Sequence, residues 1–343
     1  MTTQSVAIPK VRRPWMPSRT VLGVLAMVVI GYVVLAIPSG ALATEQFVNA
    51  LTIGALYALI ALGYTMVYGI IELINFAHGE IFMSGSFVAL IAMKSLGLTD
   101  TIHDPVLLIG ALAVIFVISM LAMGVLGVVI ERFAYRPLRN APRLAPLITA
   151  IGVSFILQNI VFVGYSNSVV TTPKLIPFEE IQIGPFSVRM VNLFVIVLAL
   201  GLMAALHLFT TRTQLGTAMR STAMDREAAQ LMGVDINRAI AITFFIGAAL
   251  AGAAGVVQTQ YLGSTVFNIG FRAGLFAFTA AVLGGIGNIA GAALGGFVIG
   301  FLEVASSAYG YGRWSEAVVF TTLILVLIFR PNGLLGQQTA ERA

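Results

Sequence analysis

Long apolar stretches follow one another along almost the whole chain, and each is close to the length that crosses a bilayer. A spanning helix needs about 20 mostly apolar residues. Stretches of this kind lie near 20–38, 47–70, 76–94, 106–130, 145–165, 191–209, 239–258 and 315–330. The region 274–306 is apolar too, but glycines interrupt it, which predicts two short helices meeting near Gly284–Asn288. Only 10% of the 343 residues are charged, against about 25% in a soluble domain, so lipid must solvate much of the exterior. The expected fold is all-α: a polytopic integral membrane protein with about 8–10 transmembrane helices, some of them broken or re-entrant.

The few charges set the orientation. With the N-terminus inside, the segments 1–19, 131–143, 210–238 and 330–343 hold fourteen of the nineteen Lys and Arg residues. The opposite orientation would reverse that bias, and cytoplasmic loops are the ones rich in Lys and Arg. Both termini and the 210–238 loop are therefore expected in the cytoplasm. The net charge of +5 reports this topology rather than nucleic-acid binding. A basic stretch, an apolar core and Ala41-Leu42-Ala43 look like a cleavable signal. The apolar core is long for that, so the expectation is a retained helix; either version leaves Glu45 outside. Residues 1–44 thus read as an extension with an extra span, 45–336 as the main transmembrane domain, and 337–343 as a cytoplasmic tail. The chain has no Cys and three scattered His (His78, His103, His207), so a thiol nucleophile is excluded and a metal centre is not expected.

Four segments break the apolar pattern. The polar island Glu227-Ala228-Ala229-Gln230-Leu231-Met232-Gly233 lies between two spans. Residues 217–232 contain no Pro or Gly, which predicts one helix ended by Gly233. A capped, water-facing helix of this kind offers a handle to a soluble partner, with Arg220, Asp225, Glu227, Ala228, Ala229 and Gly233 as contact residues. The segment Asn75-Phe76-Ala77-His78-Gly79-Glu80, with Ser84 and Gly85 after it, joins two apolar runs. Polar groups at membrane depth must face protein or a water-filled path, so it reads either as a broken helix lining a pathway or as a plain turn. His78 and Glu80 do not by themselves make a catalytic set. Gly284, Gly285, Gly287, Gly291 and Gly295 recur at spacings that let helix backbones approach closely. The run 132–139, with Arg132, Arg136 and Arg139, reads as a basic elbow, either at the headgroups or as a second contact for an ATPase partner. Residues 47–94 and 239–290 have a similar layout in opposite orientations, which suggests an inverted repeat.

Several motifs then occur in one order: the run 57–71, Ile74-Asn75-Phe76-Ala77-His78-Gly79-Glu80, Arg136-Pro137-Leu138-Arg139, Ile148-Thr149-Ala150-Ile151-Gly152, Leu157-Gln158-Asn159, Glu227-Ala228-Ala229 with Gly233, the run 276–287, and Pro331-Asn332-Gly333-Leu334-Leu335-Gly336. On these, the chain resembles the permease subunits of branched-chain amino-acid ABC importers, of the H type of the Liv system. The resemblance implies an inner-membrane importer in which this chain forms half of the pathway. It implies a second, M-type permease, two ATP-binding subunits docked at the Glu-Ala-Ala loop, and a periplasmic substrate-binding protein. ATP would be hydrolysed by those partners, since no G-x-x-x-x-G-K-[ST] signature occurs here, and no cofactor is expected on this chain. Asn75, His78, Glu80, Thr149, Gln158, Asn159 and Thr279 are the candidates for the substrate pathway; Gly79, Gly85, Gly284, Gly285, Gly287, Gly291 and Gly295 are the hinge and packing candidates. Urea or a short amide remains an alternative cargo, and a stand-alone secondary transporter or channel an alternative class.

Overall fold

The computed structural model describes residues 41–139, 141–142, 144–183 and 186–336. The expected span at 20–38 and the tail at 337–343 lie outside them. The helices are α1 (Ala41–Ile71), α2 (His78–Ser95), α3 (Pro105–Ile130), α4 (Leu144–Gly164), α5 (Met190–Arg212), α6 (Gln214–Met224), α7 (Arg226–Leu231), α8 (Ile236–Leu262), α9 (Ile269–Gly284), α10 (Ile289–Ala308) and α11 (Ser315–Phe329). Among the described residues, seven helices are long and apolar enough to cross a membrane. The helix α2, expected as an ordinary span, is not one of these, and α9 is too short. The reason is chemical for α2: His78, Gly79 and Glu80 occupy its first turn, and the protein, not lipid, must cover them.

The layers follow from that need. Helix α1 is 89% buried over its span and α8 is 78% buried, whereas α4 is 22% and the α11 span 11%. The first pair forms the centre and the second pair the rim. Helix α1 packs along α10, α8 packs along α3, and α2 and α9 sit between them. Within the two units α1–α2–α3 and α8–α9–α10, each long helix therefore pairs with the last helix of the other unit. Small residues make the contacts close. Gly296 and Gly300 of α10 lie against Ala58 and Gly54 of α1, and Gly252 and Gly255 of α8 against Gly85 and Ser86 of α2. The outer faces of α3 and α4 expose Val117, Leu121, Val125, Phe155, Ile156 and Ile160, an apolar exterior that only lipid or another membrane chain can solvate.

The segment after α4, expected as turns or a small hairpin, holds the antiparallel hairpin β2 (Glu180–Ile183) with β3 (Phe186–Arg189). Before it, β1 (Val170–Thr171) pairs with β4 (Ser264–Thr265), which follows α8. These strands mark one end of the bundle, the hairpin end; α6 and α7 mark the other, the loop end.

Candidate functional site

The interior site begins where α1 stops. Glu72 takes a left-handed backbone, with φ 55°, and the chain turns inward. Asn75 then starts α2: its Oδ1 accepts from the backbone N–H of Ala77 at 3.1 Å, and its carbonyl accepts from that of His78 at 3.0 Å, the local bonding that makes Asn a turn former. The same Oδ1 accepts from the Tyr135 hydroxyl at 2.7 Å. Tyr135 is delivered by a π-helical turn, Glu131–Tyr135, at the end of α3; such turns re-aim side chains and recur at functional sites. The His78 ring stands edge-on to Tyr64, with centroids 4.7 Å apart, and lies against Gly63 of α1. Gly63 is eight residues from the end of α1, roughly 12 Å along the axis, so α2 begins well inside the bundle.

Glu80 is 1% exposed. Its Oε1 accepts from Gln158 Nε2 at 2.7 Å and from Ser154 Oγ at 3.4 Å, both on α4. Its Oε2 has no hydrogen-bond partner among the described residues, and a side chain at Gly270 would run into it. Gly79 abuts Gly270 and Gly274, so the starts of α2 and α9 meet backbone to backbone. Neither start has a side-chain cap. The N-terminal ends of two helices therefore meet here, and the buried Glu80 carboxyl lies beside the contact. Among the described residues no group of three or more His, Cys, Asp or Glu could hold a metal. The arrangement can orient and hold a polar group; it has no nucleophile paired with a base.

Of the seven pathway candidates, the structure brings Asn75, His78, Glu80 and Gln158 into this one seam. The hydrogen bonds of the other three stay within their own helices: Thr149 bonds the Ala145 carbonyl, Asn159 that of Phe155 and Thr279 that of Leu275. Sequence reasoning missed Tyr64, Tyr135 and Ser154. Ser154 had a signal, since it precedes Gln158 by four residues and so shares its helix face. Tyr135 had none, because it sits in a run read only for its arginines. Among the glycines, Gly85 meets Gly252, Gly284 meets Gly291, and Gly295 meets the Ala280 carbonyl. Gly285 and Gly287 instead take left-handed conformations, φ 107° and 88°, in the turn between α9 and α10.

The loop end corrects one expectation. Residues 217–232 are two helices, not one. Asp225, expected near the middle of a helix, is extended (φ −157°, ψ 111°) and divides α6 from α7. Its carboxylate accepts from the Ala228 N–H at 3.1 Å, so the residue that ends one helix caps the next. Helix α7 closes as expected at Gly233, φ 84°. The Gly233 N–H bonds the Gln230 carbonyl and the Val234 N–H that of Ala229, a Schellman motif. Ala229 is buried, while Arg220, Glu227, Ala228 and Gly233 are exposed. Met224, Leu231 and Met232 are 81%, 88% and 85% exposed, an apolar set on a short polar loop.

That loop is wired to the core. Arg226 Nη2 donates to the Ile70 carbonyl at the end of α1, 2.9 Å away. Asp235 caps α8 through the Arg238 N–H. In the elbow, read as headgroup contact, Arg139 instead pairs with buried Glu131 and donates to Asn237 of α8 at 2.6 Å. A cleft of about 510 Å³ lies between these parts, lined by Glu72, Leu73, Arg139, Pro146, Arg226 and Glu227 among others.

Comparison with known proteins gives a consistent picture. The family described as "Branched-chain amino acid transport system / permease component" matches residues 46–327. The high-affinity branched-chain amino acid transport system permease protein BraD of Pseudomonas aeruginosa is 44% identical over 302 residues, covering 87% of this chain and 97% of that protein. The corresponding permease protein LivH of Escherichia coli K12 is 43% identical over 302 residues, with the same coverage. A probable LivH permease of Methanocaldococcus jannaschii is 28% identical over 84% of this chain and 91% of its own. No solved structure matches.

Proposed function

This chain belongs to the family of permease components of branched-chain amino-acid transport systems, and we propose that it forms half of the pathway of an ATP-driven importer in the bacterial inner membrane. Leucine, isoleucine and valine are the proposed cargo. The proposed partners are a second, M-type permease, two ATP-binding subunits at the loop end and a periplasmic binding protein at the hairpin end. The basic excess at the loop end supports a cytoplasmic placement.

The observation that carries this reading is the exposed α7, which reaches the core through specific bonds. Arg226 holds the end of α1, and the chain after α7 starts α8 with its own cap. Helices α1 and α8 are the two most buried spans, and both pack on α2, where the polar seam lies. An ATPase that shifts α7 would thereby shift both walls of the seam. Beside and on the short helix, Met224, Leu231 and Met232 are exposed to such a partner, and Met suits an adaptable contact.

The test is Glu227→Arg in a strain whose leucine uptake depends on this chain. Glu227 is exposed in the first turn of α7, so the chain should still insert and accumulate. The expected result is loss of leucine uptake together with loss of ATPase co-purification. Wild-type uptake by that variant would sink the docking reading.

A further inference from the structure

A second set of charges begins at Arg272, two residues along α9 from the contact of Gly270 with Glu80. Arg272 of α9 donates from Nη2 to Glu303 Oε1 of α10 and from Nε to Glu316 Oε1 of α11, both at 3.1 Å. Glu303 Oε2 accepts from the Tyr57 hydroxyl of α1 at 2.7 Å. Arg272 also stands over the Phe276 ring, 5.2 Å from its centroid. Glu303 lies five residues before the end of α10, and Glu316 four residues into the span Gly312–Phe329. At the helical rise of 1.5 Å these lie roughly 6–8 Å from the helix ends. Ionisable groups on spanning helices pair with one another or face the bundle interior or a water-filled cavity; these three are paired, and the Arg272–Glu316 half of the set is exposed.

The two carboxylates differ. The Glu303 side chain is 13% exposed and held by Tyr57, so it is fixed. The Glu316 side chain is 59% exposed and the Arg272 side chain 52%. An exposed pair of that kind is weakly held, so a ligand can open it without disturbing Glu303. Arg272 Nη1 makes no bond to another described residue, which leaves part of the guanidinium fork for a carboxylate. Once opened, the set presents a cation for an anion and, beside it, a carboxylate for a cation. Beside the set in the chain stand three exposed aromatics: Phe271 next to Arg272, and Tyr311 and Trp314 on the turn into Glu316, 59%, 62% and 65% exposed.

We propose that Arg272, Glu303 and Glu316 form a receiving site for the zwitterionic head of an α-amino acid, which enters between Arg272 and Glu316 while its apolar side chain lies against the aromatics. The ligand carboxylate takes the guanidinium, the ligand ammonium takes Glu316, and Glu303 with Tyr57 holds Arg272 in place. The proposal rests on the cargo reading above and adds where this chain first meets the cargo.

The test is photolabelling of membranes containing the full chain and its partners, with the free diazirine analogue of L-leucine as probe. The expected adduct falls within residues 309–316 or on Phe271. Excess L-leucine should abolish it, whereas 3-methylbutylamine and 4-methylpentanoate, each lacking one charge, should not. Arg272→Gln and Glu316→Gln should each lower the adduct at least tenfold at equal chain level in the membrane. The variant Arg272→Met/Glu316→Met, which removes both halves of the exposed pair, separates recognition from scaffolding. It should stay unlabelled; recovery of the adduct there would make the pair a structural clasp and overturn the site. An adduct equally blocked by 3-methylbutylamine would overturn it as well. Leucine uptake through the wild-type chain with no adduct at these residues would overturn the site and leave the importer reading standing; absence of any leucine uptake would remove the cargo reading and the site together.

Discussion

The two broken helices begin alike and then treat charge in opposite ways. Helices α2 and α9 both start without a side-chain cap, and their first turns meet at Gly79 and Gly270. Helix α2 then places Glu80 where 1% of it is exposed and α4 supplies its hydrogen bonds. Helix α9 places Arg272 where half the side chain is exposed and α10 and α11 supply its partners. A buried charge must be hydrogen-bonded or it is not tolerated, so the first unit is closed around its carboxylate by a neighbouring helix. The second keeps its guanidinium within reach of the surface. One backbone plan, used twice, gives a sealed polar interior and an open polar mouth.

The strongest way to break this comparison is at the shared backbone contact. A side chain at Gly79 would run into the Gly270 carbonyl, and no rotamer can relieve a clash between two backbones. Gly79→Val should therefore lose several kcal/mol, at or beyond the usual range of about 1–3 kcal/mol for overpacking, and the chain should fail to elute as a single species in detergent. Gly152, on the outer part of α4, has no atom within 4 Å of an added Cβ. Gly152→Val should stay within about 0.5 kcal/mol of the parent. Similar elution and melting of the two variants would show that the starts of α2 and α9 do not meet.

The next test contrasts the two charges. Glu80→Ala leaves Gln158 Nε2 without its acceptor inside the bundle, an expected loss of about 1–3 kcal/mol. Arg272→Ala opens pairs that are partly solvated, with an expected loss nearer 0–1 kcal/mol. Thermal melts of the two variants in the same detergent decide it. A larger drop for Arg272→Ala would reverse which charge is the sealed one.

Much of this plan could be read from the residues, and the limits are physical. Among the described residues, apolar length found six of the seven span-length helices, missing α10, which was expected to be short, and adding α2; the glycines located the turn between α9 and α10, because both signals are local. The Asn75–Glu80 segment was visible as a polar break, yet whether it was a turn or a broken helix depended on what covers it, and Gln158 and Ser154 are over seventy residues away in the chain. The helix at 217–232 was drawn as continuous because no Pro or Gly interrupts it. Asp225 breaks it with an extended backbone and a carboxylate that accepts from the Ala228 N–H, a choice that propensity leaves open. Arg139 looked like a headgroup anchor until Glu131, which the π-helical turn swings inward, supplied its partner.

The smallest test concerns that π-helical turn. Tyr135→Phe removes one hydroxyl and keeps the ring, which packs on Phe244 with centroids 5.5 Å apart. Asn75 Oδ1 would still accept from the Ala77 N–H, so no acceptor is stranded. The expected loss is then that of one hydrogen bond, about 0.5–1.5 kcal/mol. Asn75→Ala removes both bonds at once, strands the Tyr135 hydroxyl, and withdraws the residue that starts α2; its loss should be clearly larger. The order of the two variants in a thermal melt is the informative result. If Tyr135→Phe is the more damaging, then the turn at the end of α3, rather than the Asn75 turn, sets where α2 begins, and the sealed half of the comparison is built from α3 inward.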